Sequence, residues 1–371
     1  MKVAIIHDWL EKKGGAEKVL EDLFYIYPKA DLFVIVDFMK DKEKRFLKKI
    51  KIKKSFIQYL PFSKIFFRHY FFLMPIAIRL FNLSKYDLII SSSHSYAKNI
   101  VKRKNQKHIC YCHTPIRYAH VMMENYIADY GFKNKFLRFV LSQILLLIGK
   151  WDIKSNLNVD YFISNSTYIQ KRILKIYKRN SEVIHPPIDT KKFSFKKKKD
   201  NFYMTASRLV PYKKVDLIVK AFNKMPSRKL IVIGDGPQLN KIKKLALSNI
   251  NIIGWVNDNY LIKLMKSSKA FIFAPLEDFG IVPVEAQSCG TPVIAYGKGG
   301  VTDTIIVKPL SRKTGIFFKY QKTKSIIKSV ELFEKINKNI DVLNCRKNAK
   351  NFSRNIFRQK IKNFIKAKFL D

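Results

Sequence analysis

Two α/β domains, each a parallel sheet with helices on both faces, are what this chain of 371 residues predicts. Three observations lead there. The length exceeds what one ordinary core holds and suits two domains of common size. Short apolar runs alternate with longer helical patterns from one end to the other, and unbroken apolarity is what a strand buried on both faces requires. One charged, aperiodic stretch, IDTKKFSFKKKKDN at 188–201, divides the alternation in two and reads as a linker. Hydrophobic residues make up 47% of the chain, enough for two cores.

The first half opens with the strand KVAIIHD (2–8), a loop holding Gly14 and Gly15, and a helix beginning near Ala16. The apolar run of this N-terminus is too short for a signal peptide, so nothing here directs export. The strands DLFVIVD (31–37), YDLIISSS (86–93), HICYCHT (108–114), YFISNS (161–166) and EVIHPP (182–187) follow. Cys110 and Cys112 alternate within one strand, share a face, and read as small core residues. Four cysteines are too few for a disulfide framework, and a reducing cytoplasm follows.

Two segments raise the membrane question. In 55–83 the apolar run is interrupted by Arg68, His69 and Arg79, and 136–149 falls short of the ~18–20 residues a span requires. Neither should cross a bilayer. Aromatics interleaved with cations in 55–83 suit a helix lying at a lipid interface, and burial in a core accounts for the same residues equally well.

The second half repeats the style with FYMTASRL (202–209), KLIVIGDG (229–236), IIGWV (252–256), AFIFAPL (270–276), PVIAYGK (292–298) and GIFFK (315–319). Phe352, Ile356, Ile361, Phe364 and Ile365 then recur at helical spacing with cations between, as in a helix on a lipid surface or, the favoured reading, one closing over a domain face with its basic side in water. The expected division is a first domain at 1–190, a second at 200–350 and a terminal helix at 351–371 packing back on the first. A cleft between the two domains is the economical arrangement.

The formal net charge of +44 points to an anionic partner: nucleic acid, a lipid surface or a phosphate-bearing substrate. Lys outnumbers Arg by roughly four to one, whereas paired recognition of phosphates and bases favours Arg. Charge alone therefore does not choose the partner, and the motifs must.

Three motifs carry chemistry. In HDWLEKKGGAEKVL (7–20) a strand ends in a loop whose Gly14 and Gly15 let backbone N–H groups approach an anion at a helix N-terminus, although such a pair also serves as a plain tight turn. In ASRLVPYKKVDL (206–217) Arg208 and Lys213 follow a strand, at the edge where open parallel sheets bind ligands; two such cations can hold a diphosphate. In PLEDFGIVPVEAQSCG (275–290) Glu277 leaves a strand, and Glu285 lies in the first turns of a helix that Pro283 can begin and Gly290 can end. Carboxylates beside phosphate-binding cations suit sugar and ribose hydroxyls. His7 and His94 end strands and point toward the cleft, whereas His69, His108 and His185 read as structural or exposed.

The series GGAE, SRLVPYKK, GDGP, GW, EDFGIVPVE and AYGKGG, in this order and spacing, resembles retaining glycosyltransferase family 4 over essentially the whole chain. The resemblance implies the GT-B fold, two Rossmann-like domains facing each other across a cleft. It implies that Arg208 and Lys213 hold the donor diphosphate, that Glu277 contacts the transferred sugar, and that Glu285 takes the ribose hydroxyls. Backbone around Phe279, Gly280 and Ile281, with Gly14, Gly15 and Gly234, would complete the donor site. HDW, SSSHSYAK, YCHTPIRYAH and NSTYIQKRI are similar to bacterial mannosyltransferases of O-antigen and capsule assembly, which places His113 near the reacting sugar; His7 and His94, at strand ends toward the cleft, stand open to acceptor or donor and with Arg117 are the acceptor candidates. Where many members have Lys-Gly this chain has Lys213-Lys214, and where close relatives place Trp after RYA it has His120.

The expected activity is transfer of a hexose, mannose from GDP-mannose, to a lipid-linked or growing surface polysaccharide. The chain contains no Asp-x-Asp, and no metal or other cofactor is expected. The expected partners are a nucleotide sugar, the lipid-linked acceptor and an anionic membrane surface, with no nucleic acid; the expected location is the cytoplasm, peripheral on the inner face of the plasma membrane. A sugar-nucleotide epimerase of the same fold is the rival enzyme, and a basic nucleic-acid-binding protein the rival outside enzymes.

Overall fold

The computed structural model describes residues 1–129, 134–337 and 340–370. The chain forms two compact units, the first comprising Met1–Pro186 with Arg358–Asp371 and the second Pro187–Phe357.

Unit 1 is built on β1 (Val3–Leu10), β2 (Asp31–Asp37), β3 (Ile52–Lys54), β4 (Leu88–Ser93), β5 (Lys107–Cys112), β6 (Tyr161–Ser164) and β7 (Ser181–Val183). They pair in parallel in the order β3-β2-β1-β4-β5-β6-β7. The consecutive residues Ala4, Ile5 and Ile6 are all fully buried, which requires cover on both faces of the sheet and explains the unbroken apolar run. β3 escapes the sequence pattern because it is three residues long, and its IKK is polar as a sheet edge is.

The segment 55–83 is broken by Pro61 and Pro75 into short helical pieces at Phe56–Tyr59, Ser63–Phe66, Phe67–Phe72 and Met74–Arg79. Ile57, Phe67, Phe71, Met74, Ala77 and Ile78 turn inward and join a core with Ile35, Tyr96, Leu141 and Leu145. Tyr59, Phe62, Ile65, Phe66, Phe72, Ile76 and Leu80 stay exposed. The segment thus buries one face in the core and leaves the other exposed. The 136–149 run lies within the helix Lys135–Ser155, and no helix among the described residues is long and apolar enough to cross a membrane.

Unit 2 contains β8 (Phe202–Ala206), β9 (Lys229–Ile233), β10 (Ile250–Gly254), β11 (Ala270–Phe273), β12 (Val293–Tyr296) and β13 (Gly315–Phe318), parallel in the order β10-β9-β8-β11-β12-β13. The stretch 188–201 is part of this unit and not a solvated linker. Ile188 bridges to Ser353, Phe193 is buried, and Lys199 Nζ donates to Lys266 O (2.9 Å), Cys289 O (3.1 Å) and Thr291 Oγ1 (3.0 Å). That burial pulls the Lys199 ammonium down to about 8.

The terminal helix Arg354–Leu370 belongs to unit 1 from Arg358 onward. The Arg358 guanidinium lies over the Tyr25 ring at 3.4 Å and donates to the buried Asp22 carboxylate, and the Phe364 ring meets Tyr161 edge-on at 6.3 Å. The four cysteines are free and buried, Cys110 and Cys112 packing with Val159, Phe162 and Ile173.

Candidate active site

Both sheets reverse strand order once, between β1 and β4 in unit 1 and between β8 and β11 in unit 2. Loops leaving the carboxyl ends of such a pair diverge and open a crevice, which is where parallel sheets bind ligands. The motifs of the sequence lie at these two places.

In unit 2, β8 ends at Ala206 and the chain turns through Arg208, which is exposed, into a short helical turn at Pro211–Lys213. A glycine holds this turn from below. A Cβ on Gly234 (φ +137°) would lie 1.8 Å from Ser207 O, so no other residue fits without displacing the backbone that carries Arg208. Gly234 therefore acts through the arginine loop's position. The opposite wall is built alike: Gly300 N–H donates to Glu277 O at 2.8 Å, and a Cβ there would lie 2.2 Å from Asp278 O.

Between these walls Lys213 and Glu277 form an ion pair, their side chains 17% and 19% exposed. Phe279 is buried against Phe352, so its ring belongs to the core. Gly280 (φ +91°) starts the helix Ile281–Ser288, and Glu285, nearly buried, sits on its second turn. Gln287, two residues on, anchors that helix, donating to Thr304 O (2.8 Å) and accepting from Asn348 Nδ2 (2.7 Å). Arg208, Lys213, Glu277 and Glu285 thus gather around one switch point, with both cations on the β8 side and both carboxylates on the β11 side.

Unit 1 gathers the histidines. His7 on β1 lies in register with Ser92 on β4, and His7 Nδ1 is 3.2 Å from Ser92 Oγ and 3.1 Å from Ser92 O. The same Ser92 hydroxyl is 2.9 Å from His113 Nε2, beyond the end of β5. The His94 ring stands between, its centroid 5.9 Å from His7 and 6.4 Å from His113, with Trp9 edge-on at 4.6 Å. Burial lowers the His94 imidazole despite the Asp8 carboxylate 3.2 Å from its Nδ1. It holds His113 well below the ordinary histidine range too, helped by the charges of His94, His7 and Arg117. Neutral rings of this kind exchange hydrogen bonds with hydroxyls.

Two acids escaped the sequence reading. Asp8 is fully buried and accepts from four successive N–H groups: His94 (2.6 Å) and Ser95 (3.0 Å) on Oδ2, Tyr96 and Ala97 (2.7 Å) on Oδ1. It fixes the loop that carries His94. Glu17 takes the Gly14 N–H at 2.8 Å, so this carboxylate caps the helix that the glycine loop opens. Burial pushes the Glu17 carboxyl up, but the bond and charge of His7 and the N–H groups of Glu17 and Gly14 outweigh it and hold it below the usual range. Both acids lie inside motifs conspicuous in sequence, HDW and GGAE, without any cue that they face inward.

His120 is not free for a ligand either. Its Nε2 meets Asp152 Oδ2 (2.8 Å), which also accepts from Tyr177 OH (2.6 Å) while Asp152 Oδ1 pairs with the buried Lys98 (2.7 Å). Burial opposes the Asp152 charge, yet Lys98 and His120 pull its carboxyl down to about 2. Lys98 also donates to Ser95 O at 2.7 Å, tying this network to the same loop. Among the described residues no group of three or more His, Cys, Asp or Glu is placed to hold a metal ion.

Two family profiles match in tandem, the one described as Glycosyltransferase Family 4 over residues 13–192 and the one described as Glycosyl transferases group 1 over residues 188–352. The chain belongs to glycosyltransferase family 4. Among curated relatives, this family-4 chain is 28% identical over 183 residues to a GDP-mannose-dependent monoacylated phosphatidylinositol monomannoside mannosyltransferase of Corynebacterium glutamicum, covering 41% of this chain and 48% of that one. It is 25% identical over 210 residues to the O-antigen chain mannosyltransferase RfbU of Salmonella typhimurium, covering 53% and 57%. The chain spans about half the length of the curated relatives it matches. Anabaena HepE, solved with UDP, shares its GT-B fold: the TM-score is 0.71 at 18% identity over 99% of this chain and all of that one.

Proposed function

We propose that this family-4 chain is a retaining glycosyltransferase that moves mannose from GDP-mannose to a lipid-linked or growing surface polysaccharide. The observation that carries the proposal is the convergence of Arg208, Lys213, Glu277 and Glu285 on the β8/β11 switch point. Arg208 and Lys213 neutralise the diphosphate as it departs, the contribution expected to dominate when charge develops on a leaving group. Glu277 accepts from hydroxyls of the transferred sugar and Glu285 from the ribose. His113, neutral, meets the sugar, while His7, His94 and Arg117 serve the acceptor end. No metal enters this scheme because two fixed cations already supply the charge, and a chelator is expected to leave transfer unchanged. An epimerase would need an acid and a base placed for proton transfer at a sugar carbon, whereas the Glu277 carboxylate is paired with Lys213.

Mannose and guanine rest on the relatives' names, while HepE was solved with UDP and with UDP-glucose. A panel of nucleotide sugars, read first as protection against heat unfolding and then as label transferred to a lipid-extractable product, separates them. GDP-mannose is expected to protect most and to label; protection by a UDP-sugar alone overturns the donor assignment.

The proposed workplace is the inner membrane surface. The exposed row Tyr59, Phe62, Ile65, Phe66, Phe72, Ile76 and Leu80 supports it, together with the net positive charge. The row differs from what the aromatic run predicts. Phe67 and Phe71 are core residues and so closed to lipid, while Tyr70 donates to Pro61 O at 2.7 Å and the exposed Arg68 pairs with Glu11.

A further inference from the structure

The polar atoms around His113 form a chain with a direction. It starts at Glu17, an acceptor at both oxygens when ionised. His7 Nε2, buried and without a closer polar partner, lies 3.5 Å from Glu17 Oε1. His7 Nδ1 is 3.2 Å from Ser92 Oγ, and Ser92 Oγ is 2.9 Å from His113 Nε2. A neutral imidazole carries one N–H and one lone pair, and a hydroxyl donates only once. If the carboxylate requires the proton on His7 Nε2, then His7 Nδ1 is bare and receives the Ser92 hydroxyl proton. Ser92 Oγ then has only lone pairs for His113, whose Nε2 must donate. His113 Nδ1 is left bare, and it makes no hydrogen bond among the described residues.

We propose that Glu17 and Ser92 are positioning residues that, through His7, fix His113 as its Nε2–H tautomer, so that the lone pair of Nδ1 accepts a hydrogen bond from a sugar hydroxyl. The inference rests on the reading of His113 given above and deepens it, since it says which partner the histidine selects: a hydroxyl that donates, and not a carbonyl or phosphate oxygen. The same logic governs triads in which a carboxylate sets the tautomer of a histidine. Here the instruction passes through one further histidine and a serine. The alternative direction has a distinct signature. A doubly protonated His7 would donate from Nδ1 to Ser92 O, 3.1 Å away, and free the Ser92 hydroxyl to donate to His113 Nε2, leaving the His113 proton on Nδ1.

Two-bond proton–nitrogen correlation spectra of the full chain, with 15N-labelled histidine at neutral pH, read the tautomer directly. His113 is expected as Nε2–H in the unaltered protein, a result that needs no variant. Glu17→Gln and Ser92→Ala are expected to convert it to a mixture or to Nδ1–H and to lower kcat for mannosyl transfer about tenfold; Ser92→Ala, which leaves the Gly14 loop and its Glu17 cap intact, is expected to leave GDP affinity unchanged because Arg208, Lys213 and Glu285 lie in unit 2. Ser92→Thr, which keeps the hydroxyl, is expected to restore the tautomer. His113 found as Nδ1–H in the unaltered protein, or remaining Nε2–H in both Glu17→Gln and Ser92→Ala, overturns the relay. A tautomer that responds as expected while transfer stays unchanged overturns instead the assignment of His113 to the sugar.

Discussion

Lys213 is ion-paired with Glu277. A diphosphate binding at Arg208 and Lys213 must therefore take the ammonium from a partner it already has. Exposed ion pairs contribute 0.2–1 kcal/mol, and this one, with both side chains less than a fifth exposed, belongs at about 1 kcal/mol. Glu277→Gln removes the competing charge while keeping the shape, so GDP and inorganic pyrophosphate are expected to bind roughly fivefold tighter. Transfer moves the opposite way. The loss of a charged acceptor from the sugar costs about 1.5–3 kcal/mol, or roughly ten- to hundredfold in turnover. Calorimetric titration of GDP at fixed ionic strength, paired with steady-state transfer from GDP-mannose, reads both effects, and the tightening should shrink as salt is raised. GDP affinity that is equal or weaker in Glu277→Gln refutes the exchange of partners at Lys213.

Further expectations follow from packing, titration and exposure. Gly300→Ala brings a Cβ into the backbone under Glu277 and Asp278, so the chain should fold with a lower melting temperature and lose roughly a hundredfold in transfer, the size expected of an ångström-scale misplacement; near-normal transfer would show that this wall does not hold the site. Burial lowers His108 to about 4, with Ser91 Oγ (2.8 Å) and Asn158 O (3.0 Å) on its two nitrogens. Since the folded value lies below the unfolded one, its contribution is complete above about pH 6.5 and is lost as pH falls toward 4. About 3 kcal/mol is at stake, of which about 2 should be gone by pH 5. Urea unfolding of the unaltered chain and of His108→Gln between pH 7 and 5 checks this, the variant being expected to show a shallower fall. Flotation with vesicles should recover more protein as anionic lipid increases and less as salt increases. Phe62→Ser with Phe66→Ser should weaken binding without lowering the melting temperature, and recovery wholly unbound at low salt would sink the membrane proposal.

The strands were legible because a parallel sheet covered on both faces leaves its mark in composition: all twelve runs read as strands overlap one, and of the thirteen strands among the described residues only the polar β3 is missed, for want of any apolar signal. That Arg208, Lys213, Glu277 and Glu285 gather at one end of a sheet was legible through spacing, since each sits a fixed step beyond a strand or inside a helix, while the donor roles proposed for them come from the resemblance to the family. What stayed hidden was direction. Asp8 and Glu17 are acids in a strand and a helix, and only the fold shows that one gathers four amides and the other faces a histidine. Phe67 and Phe66 are neighbours in sequence and opposites in burial, a distinction that depends on short helical pieces broken at two prolines. Lys199 read as solvated for the same reason: its three acceptors come from residues 266, 289 and 291, far along the chain.

The central claim is that the arginine leaving β8 holds the donor's diphosphate. It is tested most directly by titrating GDP into the unaltered chain and into Arg208→Ala by calorimetry, with circular dichroism confirming that both are folded. Loss of a charged hydrogen bond to phosphate is worth about 2 kcal/mol, so the variant is expected to bind GDP roughly thirtyfold more weakly. Equal affinity in the two proteins would contradict the claim.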